Sequence, residues 1–275
     1  MPKLEKNLLF KSLNSLLVIT QEIEANTHSH HALQVTFSMS DAFTLGVDKD
    51  QSARVSESYH GVIIGADIEH SIRADTGPFV TLLLDPELHQ AKHILGHHQT
   101  TGIMAIDDDR LQQLRQFIQL LMSEQGEVIK AKITKPIEQL MTILTQSDCE
   151  QALEPRIETL IQYIAQTEFK SANIDELAQA VNLSTGRLSH LFKEEVGIPI
   201  RRYLLWQRLL DACVYASLHA HDEIDCEMKN DMSLTQAAHQ AGFTDSAHFS
   251  RTFKGMFGLH PSSFIKNSHL ILASI

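Results

Sequence analysis

The 275-residue chain has few cysteines, no long apolar run and no excess of positive charge. Its three cysteines, Cys149, Cys213 and Cys226, form no CxxC pair and cannot complete an even disulfide framework, which excludes a disulfide-stapled fold and fits a reducing compartment. The longest apolar runs, such as Leu16 to Ile19 and Val80 to Leu84, fall well short of the roughly 20 residues that span a bilayer, so no membrane segment is expected. Leu8-Leu9-Phe10 is not the continuous apolar stretch with a small-residue cleavage site that an export signal needs, and a cytoplasmic location is the expectation. Also missing are a P-loop, a dinucleotide glycine motif and a Ser-His-Asp order, so no enzyme class is indicated and no cofactor is expected. What is present is ordinary: 43% hydrophobic and 21% charged residues place the chain among globular proteins and against disorder. Its length fits two domains.

The net charge of −11 argues against a generally basic nucleic-acid surface. Residues 1–150 hold 12 Lys+Arg against 20 Asp+Glu, net −8, and residues 151–275 hold 11 against 14, net −3. Five of those acids, Asp222, Glu223, Asp225, Glu227 and Asp231, share one segment; outside 219–232 the second half has 10 basic against 9 acidic residues. Any phosphate binding must therefore come from local placement of cations.

The apolar pattern changes along the chain. Leu16 to Ile23, Leu33 to Met39, Ala42 to Val47, Gly61 to Ile64 and Phe79 to Leu84 are short β-rich runs broken by turn residues, as in a sandwich or small barrel. From Asp107 the period becomes helical: Leu111, Leu114, Phe117, Ile118, Leu121 and Met122 form one stripe, followed by a second helix near 136–146. Packing on the β domain and a dimerising seam explain this stripe equally well. Gln146-Ser147-Asp148 and Pro155 punctuate the chain before a C-terminal domain starting near 150.

From Ile174 the chain reads IDELAQAVNLSTGRLSHLFKEEVGIP, and from Leu234 it reads LTQAAHQAGFTDSAHFSRTFKGMFGLHP. Ala178 matches Ala238, Asn182 matches Gly242, Phe192-Lys193 matches Phe253-Lys254, and Gly197 with Pro199 matches Gly258 with Pro261. A small residue lets two helices approach, Asn or Gly suits a turn of positive φ, and Ser184 or Thr244-Asp245 caps the next helix. That helix is expected to bury Leu188, Leu191 and Phe192 in the first unit and Phe249, Phe253 and Phe257 in the second. The repeat describes tandem helix-turn-helix units.

The second unit, AGFTDSAHFSRTFKGMFGLHPSSF, closely resembles the C-terminal signature of AraC/XylS-type transcription regulators, and the resemblance extends over roughly residues 155 to 266. It implies promoter DNA as partner, with Thr185, Gly186, Arg187, Ser189, His190 and Lys193 on the first recognition helix. On the second it implies Ser246, Ala247, His248, Ser250, Arg251 and Lys254. Arg251 is the candidate base reader, because a guanidinium donates bidentately to guanine; Lys193 and Lys254 suit phosphates. Arg201, Arg202 and Arg208 on the connecting helix are further phosphate candidates, and Trp206 is expected in the core. The resemblance also implies a homodimer, RNA polymerase as partner and activation of transcription. One departure is the segment from Leu218 to Met232, about ten residues longer than the family pattern. As helix it would add about 15 Å to the connector, so it is expected to loop out.

In the N-terminal half, His28-Ser29-His30-His31-Ala32-Leu33-Gln34 and a Gly-containing strand, GADIEHSI, ending near His70, resemble the cupin-like sensor domain of many such regulators. His28, His30, Gln34 and His70 are thus the candidate pocket for a small effector. Related cupin enzymes hold a metal there, which makes His28, His30 and His70 secondary metal candidates; the usual Glu is missing from the set, and no metal is the primary expectation. His89, His93 and His97 share a helical face if a helix runs past Gly96.

These readings make an α+β protein: a cupin-like β-sandwich or barrel over 1–105, a helical dimerisation or linker region over 106–149, and an all-α domain of two helix-turn-helix units joined by a connecting helix over 150–275. The function expected is a sequence-specific, effector-responsive transcription regulator. The alternatives are a metal-binding cupin enzyme with a helical appendage, and an interaction module that has lost DNA binding.

Overall fold

The computed structural model describes residues 7–11, 15–49, 53–74, 76–96, 102–123, 134–146, 153–166, 173–219, 234–258, 260–261 and 268–272. Eleven strands are described: β1 Asn7–Lys11, β2 Ser15–Thr20, β3 Ile23–His28, β4 Leu33–Ser38, β5 Phe43–Lys49, β6 Ala53–Tyr59, β7 Gly61–Ile64, β8 His70–Ala74, β9 Phe79–Leu84, β10 Ile103–Ala105 and β11 Ser268–Leu272. Nine helices accompany them: α1 His89–Leu95, α2 Asp108–Ser123, α3 Thr134–Thr145, α4 Pro155–Gln166, α5 Ile174–Ala180, α6 Thr185–Val196, α7 Ile200–His219, α8 Leu234–Gln240 and α9 Ser246–Phe257.

The strands form a seven-stranded sheet, β10-β7-β4-β9-β2-β1-β11, and a four-stranded sheet, β3-β8-β5-β6. Pairing is antiparallel except between β1 and β11, which run parallel with Asn7 opposite Ser268. The apolar run from Leu16 to Ile23 therefore splits at Gln21-Glu22, with β2 in one sheet and β3 in the other. GADIEHSI is likewise not one strand: after β7 the chain turns at Asp67, whose φ is +59°, and β8 begins at His70.

Side-chain alternation on β2 explains why it is buried on both faces. Leu17 and Ile19 join the main core with Leu33, Val35 and Phe37 of β4, Leu111, Leu114 and Ile118 of α2, and Leu188 and Phe192 of α6. Leu16 and Val18 face the other way and join Leu83, Trp206, Phe253 and Phe257. Of the α2 stripe, Leu111, Leu114 and Ile118 are thus buried within their own chain, and Phe117, Leu121 and Met122 are half-buried against the same core; a Cβ on Gly61 of β7 would stand 3.1 Å from the Leu111 side chain, so α2 lies close against the sheet. Between the sheets lie Phe43, Leu45, Val62, Ile64, Ile72 and Phe79.

The two helix-turn-helix units form as their local chemistry dictates. Asn182 and Gly242 turn with φ of +54° and +80° after the buried Ala178 and Ala238. Ser184 accepts from the Arg187 N–H at the start of α6, and Asp245 accepts from the His248 N–H at the start of α9. Leu188, Leu191 and Phe192, and Phe249, Phe253 and Phe257, are buried. Helix α1 stops at Gly96, while His97 and the acidic segment beyond His219 lie outside the described residues.

Candidate functional site

Two groups of candidate residues are placed by this fold. On α6, Gly186, Arg187, His190 and Lys193 are exposed and Thr185 and Ser189 are half-buried, with the Ser189 hydroxyl donating to the Thr185 carbonyl (2.8 Å). On α9, Ala247, His248, Arg251 and Lys254 are exposed and Ser246 and Ser250 are half-buried. Both sets lie opposite buried faces, so each helix presents a polar face with a cation in its last turn. The His248 ring leans edge-on against Phe243 (centroids 5.6 Å apart), and His190 lies 3.6 Å from the Glu194 carboxylate.

The second group converges at the end of the barrel. His28 and His70 are opposed across the β3–β8 pair, and the Asp67 N–H donates to the His30 carbonyl (2.7 Å), pinning the turn before β8 over His30. The ring centroids of His28, His30 and His70 lie 4.5–5.5 Å apart. One ring nitrogen from each lies within 4.8 Å of the others. Gln34 completes the set through a 2.8 Å contact to His30.

Proton placement in this cluster follows from its acceptors. Nδ1 of His28 faces the Asn26 carbonyl (2.7 Å), that of His30 the Ala32 carbonyl (2.9 Å), and that of His70 the Ile68 carbonyl (2.8 Å). A carbonyl only accepts, so each Nδ1 carries the proton and donates. Burial pushes His30 below the ordinary histidine value and drives His70 down to about 3, so these two rings are neutral at pH 7. Every Nε2 in a neutral ring then offers a lone pair. Gln34 Oε1 lies 2.8 Å from His30 Nε2 and the amide N–H₂ donates to Thr36 Oγ1 (2.8 Å); a neutral His30 that holds its proton on Nδ1 calls for the opposite turn of that amide. His70 Nε2 is buried and has no hydrogen-bond partner.

That donor set fits a divalent transition metal. Three imidazoles whose Nδ1–H groups are held by main-chain carbonyls match the way metal-binding histidines are oriented, and the orphaned His70 nitrogen is the acceptor such an ion would satisfy. Nitrogen ligands at tetrahedral zinc stand about 3.3 Å apart, so the rings need to close by roughly an ångström. His28 is half-exposed, which leaves an entry path.

A third arrangement, not visible in the sequence, joins the barrel to the helical units. Arg202 on α7 pairs with Asp85 and with Glu87 (2.9 Å) and also donates to His31 Nε2. Asp85, only 1% exposed, also accepts from the Trp206 indole N–H (2.8 Å) and the Glu87 amide (3.0 Å). This corrects the reading of Arg202 as a phosphate contact: its guanidinium is committed within the chain. Arg201 is exposed and Arg208 half-buried. The indole N–H of Trp206 was the one available signal, since a buried indole demands an acceptor. The ends of α6 and α9 touch the barrel too. His89 donates to the Glu194 carbonyl (3.0 Å), and a Cβ on Gly197 would stand 2.6 Å from the Glu87 oxygen. The His31 and Ala32 amides donate to the Gly255 and Met256 carbonyls (3.0 and 3.1 Å).

Residues 177–267 match a helix-turn-helix domain family. The chain is 29% identical over 157 residues to the HTH-type transcriptional activator RhaS of Escherichia coli O139:H28 (strain E24377A / ETEC), a match covering 55% of this chain and 52% of RhaS. The chain spans about half the length of the curated relatives it matches. Among solved structures, apo ToxT from Vibrio cholerae strain SCE256 aligns over 92% of this chain and 97% of its own, at 12% identity and a TM-score of 0.47. The C-terminal domain of the response regulator yesN from Fusobacterium nucleatum aligns over 41% of this chain and 99% of its own, at 27% identity and a TM-score of 0.32. The capped α6 and α9 are the second helices of the two helix-turn-helix units, and both lie within the matched residues. No helix among the described residues is long and apolar enough to cross a membrane.

Proposed function

We propose that the chain is a sequence-specific transcription regulator of the activating kind. In this reading the AraC/XylS-type units bind promoter DNA and the barrel takes a small effector at His28, His30, Gln34 and His70. The observation that carries it is the pair of capped helices, α6 and α9, each with its apolar side buried and a polar, cation-bearing side exposed. Two such helices on one connecting helix suit successive major-groove faces, about 34 Å apart along B-DNA. Arg187 and Arg251 act as base readers, and Lys193 and Lys254 hold phosphates. The assignment extends to a sensing unit over 1–105, a linking unit over 106–149 and a DNA-binding unit over 150–275, working in the cytoplasm as a homodimer that contacts RNA polymerase.

The test is selection from a random DNA library with the full-length protein at two salt concentrations. Enrichment of a two-part motif, weakened by salt, is the expected result, because phosphate contacts release counterions. Failure to enrich any motif at low salt refutes the reading.

A further inference from the structure

The places where the barrel meets the helical units are gathered at one spot. Strands β4 and β9 pair with Leu33 opposite Leu84, so the residues just before β4 and just after β9 lie side by side at one end of the larger sheet. The segment after β9 holds the end of α6: His89 donates to the Glu194 carbonyl (3.0 Å), and a Cβ on Gly197 would stand 2.6 Å from the Glu87 carbonyl oxygen. The segment before β4 holds the end of α9 through the His31 and Ala32 amides, which donate to the Gly255 and Met256 carbonyls. Gly258, just past that helix, is seated so closely that a Cβ on it would stand 2.7 Å from His28 Nε2 and 2.8 Å from His30 Cδ2. Arg202 of α7 bridges the two segments, with Asp85 and Glu87 on one side and His31 on the other. The apolar packing repeats this division. Leu188 and Phe192 of α6 share a cluster with Leu82 and Leu84 of β9, whereas Phe253 and Phe257 of α9 share a separate one with Leu83.

We propose that this end of the β4–β9 pair is a clamp that fixes the separation and angle of α6 and α9, and so sets the spacing between the two half-sites that the chain accepts on DNA. The spacing role rests on the DNA-binding reading; the clamp does not. Helix α7 is one brace between the units, with Tyr203 and Leu204 packed in the first cluster and Trp206 and Leu209 in the second. The barrel is a second brace beside it. It grips α6 and α9 at their C-terminal ends and leaves the polar side of each exposed. One inserted base pair moves a half-site by about 3.4 Å and turns it by about 35°. Helices held by two braces cannot follow that movement, so one unit loses its contacts. Arg202, Asp85 and His89 are thus positioning residues, acting through the helices that they hold.

The experiment uses the full-length protein and the two-part motif enriched from the random library, compared with the same motif carrying one base pair inserted between its halves. The wild type is expected to bind the lengthened motif at least about tenfold more weakly. In Arg202→Gln/Asp85→Asn, which breaks the bridge without leaving a buried charge unpaired, that ratio should fall at least about threefold. His89→Ala alters a half-buried ring outside the apolar clusters and should lower the ratio in the same direction, so the test does not depend on one variant folding. Loss of folded protein weakens both measurements alike and leaves the ratio unchanged. Amide exchange without DNA reads the clamp itself: the Ala32 amide, held by α9, should exchange at least about threefold faster in the double variant, while the amides of β5 in the smaller sheet do not respond. A wild type that binds both spacings equally, or a ratio unchanged in both variants, overturns the spacing role. Unchanged exchange at Ala32 overturns the clamp. Failure to enrich any motif refutes the DNA-binding reading and the spacing role with it, and the clamp is then decided by the exchange result.

Discussion

Substituting Arg202 by alanine removes the only cation paired, among the described residues, with a carboxylate that is 1% exposed. Asp85 would keep two donors, the Trp206 indole and the Glu87 amide, but no opposite charge. Breaking a buried pair in this way costs roughly 3 to 5 kcal/mol. Arg202 itself is 22% exposed, so water partly replaces it, and the expected loss is about 3 kcal/mol. The Glu87 pair adds little, because its carboxylate is 47% exposed. Asp85→Asn in the same chain removes the stranded charge while leaving an acceptor for the indole. The double variant should therefore recover at least about 1 kcal/mol of what Arg202→Ala loses. Urea unfolding followed by fluorescence reads this interface directly, since Trp206 is the only tryptophan in the chain. A loss below about 1 kcal/mol for Arg202→Ala, or a double variant no more stable than the single, refutes the reasoning.

Three further expectations follow from the helices. Arg251→Ala should relax base preference at one operator position, while Lys254→Ala weakens all sequences alike and lowers the salt slope by about one; binding curves on sequence variants at several salt concentrations separate the two. Gly186 has no atom within 4 Å of a Cβ built on it, so Gly186→Ala should stabilise α6 by up to about 1 kcal/mol, measured by thermal unfolding. A drop in DNA affinity alongside that gain would place a DNA surface against Gly186, and unchanged affinity would remove it from the interface. Leu114→Ala should cost roughly 2 to 5 kcal/mol, because the side chain is fully buried. Light scattering should find its oligomeric state unchanged, and dissociation would contradict the burial of the α2 stripe within one chain.

The helical units were legible because their signals are local. Ser184, Asp245, Asn182 and Gly242 each do their work within three or four residues, and the structure finds each cap and turn where the repeat put it. In the barrel, Gly61–Ile64 and Phe79–Leu84 stood out as dense apolar runs. Strands β3, β6 and β8 escaped notice as separate strands because they belong to the smaller sheet and alternate with Glu24, Asn26, Ser56, Ser58 and Arg73, which face solvent. The one run read across β2 and β3 hid a change of sheet, since β2 is buried on both faces and shows no alternation. The four candidate residues His28, His30, Gln34 and His70 do come together. Their contact with Gly258 had no local signature: it joins positions some 230 residues apart, and glycine at a helix end is explained by its φ alone.

The pairing of β1 with β11 bears on the order in which the protein is made. Strand β1 leaves the ribosome before every other described element, yet its parallel partner is synthesised only after every described helix. Until then one edge of the seven-stranded sheet stays open, with unpaired N–H and C=O groups able to recruit another chain. A ribosome stalled after α9 would display a nascent chain whose described helices are all present but whose sheet still lacks β11, and such chains should be the ones that chaperones hold and that aggregate first.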